Sequence, residues 1–119
     1  MLSDEYRYKI LRLLEENPQL SQRDLADRLG VSLGKANYCL RALIRLGQVK
    51  ARNFKNNQNR SAYFYVLTSK GLAAKAQSMA RFLSLKVAEY EALQREIEHL
   101  RLEVGRNDSQ RGATRGAAK

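Results

Sequence analysis

From Leu72 to Val104 the chain repeats every seven residues. Leu72, Ala76, Met79, Leu83, Lys86, Tyr90, Leu93, Ile97, Leu100 and Val104 fall at alternating steps of four and three, and nine of these ten are apolar. A seam with that period, held for more than four heptads, is the pattern of a coiled coil. It predicts one helix from about Lys70 to Val104, capped by Ser69 and about 50 Å long. So small a core as the remaining residues can build would not cover it. The a positions are Ala76, Leu83, Tyr90, Ile97 and Val104; the d positions are Leu72, Met79, Lys86, Leu93 and Leu100. Ile97 and Val104 at a with Leu93 and Leu100 at d favour two strands, and Glu96 at g can pair with Arg101 at the following e between parallel chains. The expected dimer interface is therefore Leu72, Met79, Leu83, Tyr90, Leu93, Ile97, Leu100 and Val104. These residues leave parallel and antiparallel seams open. Lys86 interrupts the seam; burying its ammonium is costly, so it should snorkel or mark a splay. Ala80, Phe82, Leu85 and Val87 widen the stripe, so there the helix should also pack on its own domain.

Three shorter helices precede it. Ser3 can cap the first, Asp4 and Glu5 suit its positive end, and Tyr6, Ile10, Leu13 and Leu14 form its apolar stripe. Asn17-Pro18 ends it. Ser21 caps the second, with Asp24 as a capping-box partner and Leu20 as a hydrophobic staple. Leu25, Ala26 and Leu29 are its buried side, and Gly30 supplies a left-handed C-terminal residue. A third helix opens at Val31-Ser32, buries Ala36, Cys39, Leu40 and Leu43 with Ile44 at the margin, and ends at Gly47. Two short helices joined by a glycine turn are helix-turn-helix grammar. Gln48 to Phe54 and Ala62 to Leu67 then read as strands around the polar turn Lys55 to Ser61, a β-hairpin made basic by Lys50, Arg52, Lys55 and Arg60. Such a hairpin after a recognition-type helix is a wing. The expected fold is mainly α with a small β-hairpin. It has a winged helix-turn-helix over 1–68, a coiled-coil dimerisation helix over 69–104, and a disordered basic tail over 105–119.

Charge follows this layout. Residues 28–88 carry twelve basic side chains and no acidic one, although the chain holds 12 acids elsewhere and a net charge of +10. So concentrated a field implies a polyanionic partner. One Cys and one His exclude a disulfide scaffold, most metal sites and the commoner nucleophile–base pairs. His99 falls on the outer c position of the seam and Cys39 on an inner helix face, so neither reads as a site. The longest apolar run, Ala62 to Leu67, is six residues, which cannot span a bilayer. The acidic start, Met1 to Glu5, has no apolar signal core. An enzyme is not expected, nor a cofactor, nor a membrane partner.

Ser21-Gln22-Arg23-Asp24-Leu25-Ala26, Leu29-Gly30-Val31-Ser32, Leu43-Ile44 with Leu46-Gly47 and Val49, and Tyr65-Val66-Leu67-Thr68-Ser69-Lys70-Gly71-Leu72 together resemble the winged-helix core of MarR-type transcriptional regulators. The segment Ser32-Leu33-Gly34-Lys35-Ala36-Asn37-Tyr38 is similar to the recognition helix of the small EPS-associated group within them. The resemblance covers roughly residues 5–104. It implies a cytoplasmic, nucleoid-associated bacterial regulator of exopolysaccharide genes. The larger family has an additional helix before the core and closes with two shorter helices; the single long helix here departs from that. No effector site is therefore carried over, and the effector is left unassigned.

In the helix-turn-helix frame the outward positions of the third helix are Ser32, Leu33, Gly34, Lys35, Asn37, Tyr38 and Arg41, entering the major groove of double-stranded DNA. Lys35 or Arg41 can address guanine, and Asn37 is the type that pairs with adenine. Ser32, Tyr38 and Arg45 suit phosphates, and Arg23 and Arg28 the DNA backbone. Arg52, Lys55 and Arg60 belong to the wing, with Arg60 the candidate for a minor groove. A two-fold homodimer would bind an inverted repeat. The alternative is a winged-helix protein-interaction or assembly module tethered by the coiled coil; RNA is a third partner class. The acid-free block favours DNA over the assembly module.

Overall fold

The computed structural model describes residues 2–55 and 61–117. Helix α1 spans Asp4–Glu16, α2 Gln22–Leu29 and α3 Leu33–Arg45; strands β1 (Val49–Lys55) and β2 (Ser61–Leu67) follow, then helix α4, Ser69–Ala117. It is mainly helical with one antiparallel hairpin, the winged helix-turn-helix and long terminal helix that the sequence predicts.

The helix ends show why these segments form. The Ser3 hydroxyl accepts from the Tyr6 amide at 3.2 Å, and the Ser32 hydroxyl from the Lys35 amide at 3.1 Å. At α2 the capping box is complete: the Asp24 amide donates to Ser21 Oγ and the Ser21 amide to Asp24 Oδ2, each at 3.1 Å. The Ser21 amide, and after it the Ser21 hydroxyl, hold the Asp24 carboxyl below its ordinary pKa. Leu20 and Leu25 flank the cap and are both buried, as a staple requires. Gly30 sits at φ +69°, and the Val31 amide closes onto the Ala26 carbonyl at 3.0 Å. The helix-turn-helix corner is thus tied by its own backbone.

The core joins Ile10, Leu11 and Leu14 of α1 to Leu20, Leu25, Cys39, Leu40, Leu43, Val49, Tyr65 and Ala74. The buried stripe of α1 differs from the expected one: Leu11 is fully buried, whereas Tyr6 and Leu13 are half-buried. The cause is that α1 packs on both sides, against α2, α3 and β2 and also against the start of α4, where Tyr8 and Phe82 stack with centroids 6.0 Å apart. Ile44 is exposed rather than inward. In the hairpin Val49 pairs with Leu67 and Arg52 with Phe64, so Tyr65 faces the core. The Tyr65 amide also donates to the Pro18 carbonyl at 3.1 Å, fastening the wing to the α1–α2 turn.

By its contacts the chain divides into two units, Met1–Leu83 and Ser84–Lys119, so the first turns of α4 lie in the same unit as the winged helix. Gly71, Ala74 and Ser78 are buried, and such small residues let the helix lie close to the core. Ion pairs Lys75–Glu15 (3.0 Å) and Arg81–Asp4 (3.7 Å) flank them. Contrary to expectation, the helix does not stop at Val104 and give way to disorder; it continues to Ala117. Gly105, Gly112 and Gly116 each cost a helix about 1 kcal/mol against Ala, but no Pro intervenes and Arg, Gln and Ala are good helix formers. The cap, too, moves by one residue: Thr68 Oγ1, not Ser69, accepts from the Gly71 amide at 3.1 Å.

Candidate nucleic-acid interface

Helix α3 buries Ala36, Cys39, Leu40 and Leu43 and turns its other side outward. Ser32, Leu33, Gly34, Lys35, Tyr38, Arg41 and Arg45 are all exposed, as the helical period predicts. Asn37, Tyr38, Arg41, Ala42 and Arg45 line a shallow cavity of about 220 Å³ along this side. Arg23 and Arg28 on α2 and Lys50 and Arg52 on β1 are exposed as well. The Lys55 side chain and Arg60 lie outside the described residues.

Two of the expected reading residues have partners. Lys35 Nζ stands 4.6 Å from the centroid of the Tyr6 ring, a cation–π contact that draws its ammonium toward α1. Asn37 is half-buried rather than fully outward, and its Nδ2 donates to Gln22 Oε1 at 2.7 Å. Gln22 Nε2 in turn donates to Tyr65 Oη at 3.4 Å. Gln22 was not singled out by the sequence. Its only local signal is a long polar side chain inside the α2 capping box, while its partners lie 15 and 43 residues away.

The electrostatics divide the molecule. Among the described residues every ion pair falls on α1 or α4, and none on α2, α3 or β1. The basic side chains of α3 and β1 therefore keep their field, because residues 28–88 supply no carboxylate to quench it, whereas α2 sets Asp24 and Asp27 beside Arg23 and Arg28. Cys39 is buried and burial pushes its thiol up, against the weaker opposing effect of Lys35, so it stays a protonated core residue. His99 pairs along the helix with Glu103 at 3.1 Å. Among the described residues no group of three or more His, Cys, Asp or Glu could hold a metal ion, and no helix is long and apolar enough to cross a membrane.

The seam residues Leu72, Met79 and Leu83 are exposed in the first unit, on a different side of α4 from the buried Gly71, Ala74 and Ser78. In the second unit Tyr90, Leu93, Ile97, Leu100 and Val104 are between 41% and 61% exposed. Lys86 reaches Glu89 at 3.2 Å, an exposed pair.

The fold is that of a winged helix-turn-helix domain. Residues 3–50 match the family described as winged helix-turn-helix DNA-binding. Solved neighbours include MarR-family proteins. A Mycobacterium tuberculosis MarR family protein in complex with p-aminosalicylic acid is 27% identical, with TM-score 0.54, over 84% of this chain and 77% of that one. The adhesin competence repressor of Streptococcus pyogenes is 20% identical, TM-score 0.54, over 76% of this chain and 65% of that one. Streptococcus pneumoniae FabT in complex with DNA is 22% identical, TM-score 0.52, over 74% of this chain and 59% of that one. The last two likenesses speak to the fold alone. No curated protein sequence matches the chain significantly.

Proposed function

We propose that this protein is a MarR-type transcriptional regulator that binds double-stranded DNA as a homodimer. The observation that carries the reading is the acid-free basic surface of α3 and β1, with α3 presenting Arg41, Arg45, Lys35 and Tyr38 outward. In this reading α3 enters the major groove. Arg41 and Lys35 address guanine, Asn37 addresses adenine, and Ser32, Tyr38, Arg45, Arg23 and Arg28 hold phosphates. Arg52, Lys55 and Arg60 extend the contact along the wing. The exposed seam from Leu72 to Val104 pairs with a second copy, and a two-fold pair of reading helices selects an inverted repeat. The likeness of the Ser32–Tyr38 segment to EPS-associated regulators supports exopolysaccharide genes as the target and the bacterial cytoplasm as the location.

The test is selection of bound fragments from the source genome by the purified chain. Enrichment of duplexes that share a symmetric motif is the expected result. Absence of any enrichment would overturn the DNA reading in favour of an assembly module held by its coiled coil.

A further inference from the structure

We infer that Gln22 and Tyr65 are positioning residues that restrain the Asn37 carboxamide against turning over on its own, and so support its preference for adenine. The inference rests on α3 being the base-reading helix. A carboxamide recognises adenine by accepting from N6–H with its oxygen while donating to N7 with its nitrogen. Its two ends have nearly the same shape, so a half-turn about the terminal bond keeps the volume and loses the match. A neighbour that resists the half-turn therefore protects the match.

The relay across α3, α2 and β2 keeps Asn37 from turning over on its own. Asn37 Nδ2 donates to Gln22 Oε1 at 2.7 Å, which leaves its second N–H and its Oδ1 for a base edge. If Asn37 turned over alone, Oδ1 would meet Oε1, acceptor against acceptor. Gln22 is held in its turn by the 3.4 Å bond from its Nε2 to Tyr65 Oη. Tyr65 is buried in the core, and its amide is fixed to the Pro18 carbonyl, so the far end of the relay is anchored to the body of the domain. The two carboxamides can reverse only together, and the tight Asn37–Gln22 bond couples them.

Substitution at one position tests this, because donor and acceptor capacity can be changed separately at nearly constant size. Gln22→Glu keeps an acceptor facing Asn37; Gln22→Leu removes it. The readout is the ratio of affinities for a selected cognate duplex and a scrambled one, in competition titrations. Asn37→Ala should lower that ratio about tenfold. Gln22→Leu should lower it nearly as far, and the double variant Gln22→Leu/Asn37→Ala should fall no lower than Asn37→Ala alone. Gln22→Glu should weaken both duplexes through its charge yet hold the ratio within about twofold of the parent. A loss caused by loosened packing would not be rescued by the charged variant. Tyr65→Phe, which keeps the ring and removes only the hydroxyl, should lower the ratio in the same direction by less. It also serves as the readout if Gln22→Leu does not fold.

A parental ratio in Gln22→Leu beside a lowered one in Asn37→Ala would overturn the relay and leave base reading by α3 intact. So would equal weakening of both duplexes by Gln22→Leu, the mark of a phosphate contact. A parental ratio in Asn37→Ala would remove the base reading itself, and the inference with it.

Discussion

Gly71 lies against Gln48 so closely that a β-carbon on it would collide with the Gln48 carbonyl oxygen and stand 3.0 Å from the carbonyl carbon. That carbonyl is held in place: it accepts from the Thr68 amide at 3.1 Å, while the Thr68 hydroxyl donates to the Gly47 carbonyl. The turn after α3 and the first turn of α4 are therefore one joint, and the missing side chain at 71 lets it close. Gly71→Ala must push backbone from backbone, since no flexible side chain can yield. We expect a loss of about 2–3 kcal/mol in chemical denaturation, the range of overpacking in a close-packed site. An unchanged midpoint would show that the joint opens at no cost.

Gly34 makes the opposite case. A β-carbon there would meet only Ser32 Oγ, at 4.0 Å, and the residue lies inside α3. Gly34→Ala should therefore raise stability, by up to about 1 kcal/mol on helix propensity. If α3 enters the groove by its N-terminal end, the added methyl sits where backbone meets DNA. Duplex affinity should then fall while the melting midpoint rises. A variant that gains stability and keeps full affinity would place Gly34 away from the contact.

Much of this was legible because it is local. Ser3, Ser21 and Ser32 announce their helices through spacing to an amide three residues on, and Gly30 marks a left-handed end that only a few residue types take easily. The exposed side of α3 follows from a 3.6-residue period. What escaped depends on contacts between distant segments. Leu11 is buried because α1 is packed on two sides, which no single stripe reveals. The Asn37–Gln22–Tyr65 chain joins three elements that the sequence separates. The reach of the winged unit to Leu83 turns on Gly71, Ala74 and Ser78, small residues whose face is chosen by α1 and the wing. The helix beyond Val104 was hidden by composition: three glycines lower propensity without forbidding helix.

The α2 cap should register in the pH dependence of stability. Asp24 is held below its ordinary pKa by its bonds with Ser21, so its contribution is present above the unfolded-state value and is lost as pH falls through the lower folded-state value. Asp24→Asn should be less stable than the parent at neutral pH. The gap between the two melting midpoints should close as pH drops through and below the usual carboxylate range. A gap that stays constant with pH would assign the cap's worth to shape rather than charge.

The seam predicts its own failure. Leu93 and Leu100 are 53% and 51% exposed in the single chain, and a partner helix would cover them. Replacing both by Asp places charge in that contact, at a cost of several kcal/mol to association by the usual scale of an unpaired buried charge. The double variant should sediment as a monomer and lose its hold on a symmetric site. Its winged unit, which ends at Leu83, should keep its melting midpoint. A sedimentation mass equal to the parent's would sink the dimer through this seam.

Counterions give the last measure, because the basic side chains of α3 and β1 have no carboxylate on their own elements to compete with phosphate. Lys and Arg that bind phosphates displace condensed cations, so the logarithm of affinity falls with the logarithm of salt by about 0.9 per contact on duplex DNA. With six or more contacts per dimer the slope should lie near about −5. The two arginines of the α3 cavity should then separate. Arg45, set toward the C-terminal end of α3, is read as a phosphate contact, so Arg45→Ala should weaken cognate and scrambled duplexes alike. In a two-fold dimer that variant removes one contact from each subunit, and the slope should flatten by nearly two. Arg41, one turn nearer the N-terminus, is read as a base contact. Arg41→Ala should cost about 1–3 kcal/mol per half-site on the cognate duplex and much less on the scrambled one. Titrations at two salt concentrations decide it. Two variants that flatten the slope equally and spare the cognate-to-scrambled ratio would make both arginines phosphate contacts, and discrimination would have to come from the wing or from the shape of the duplex.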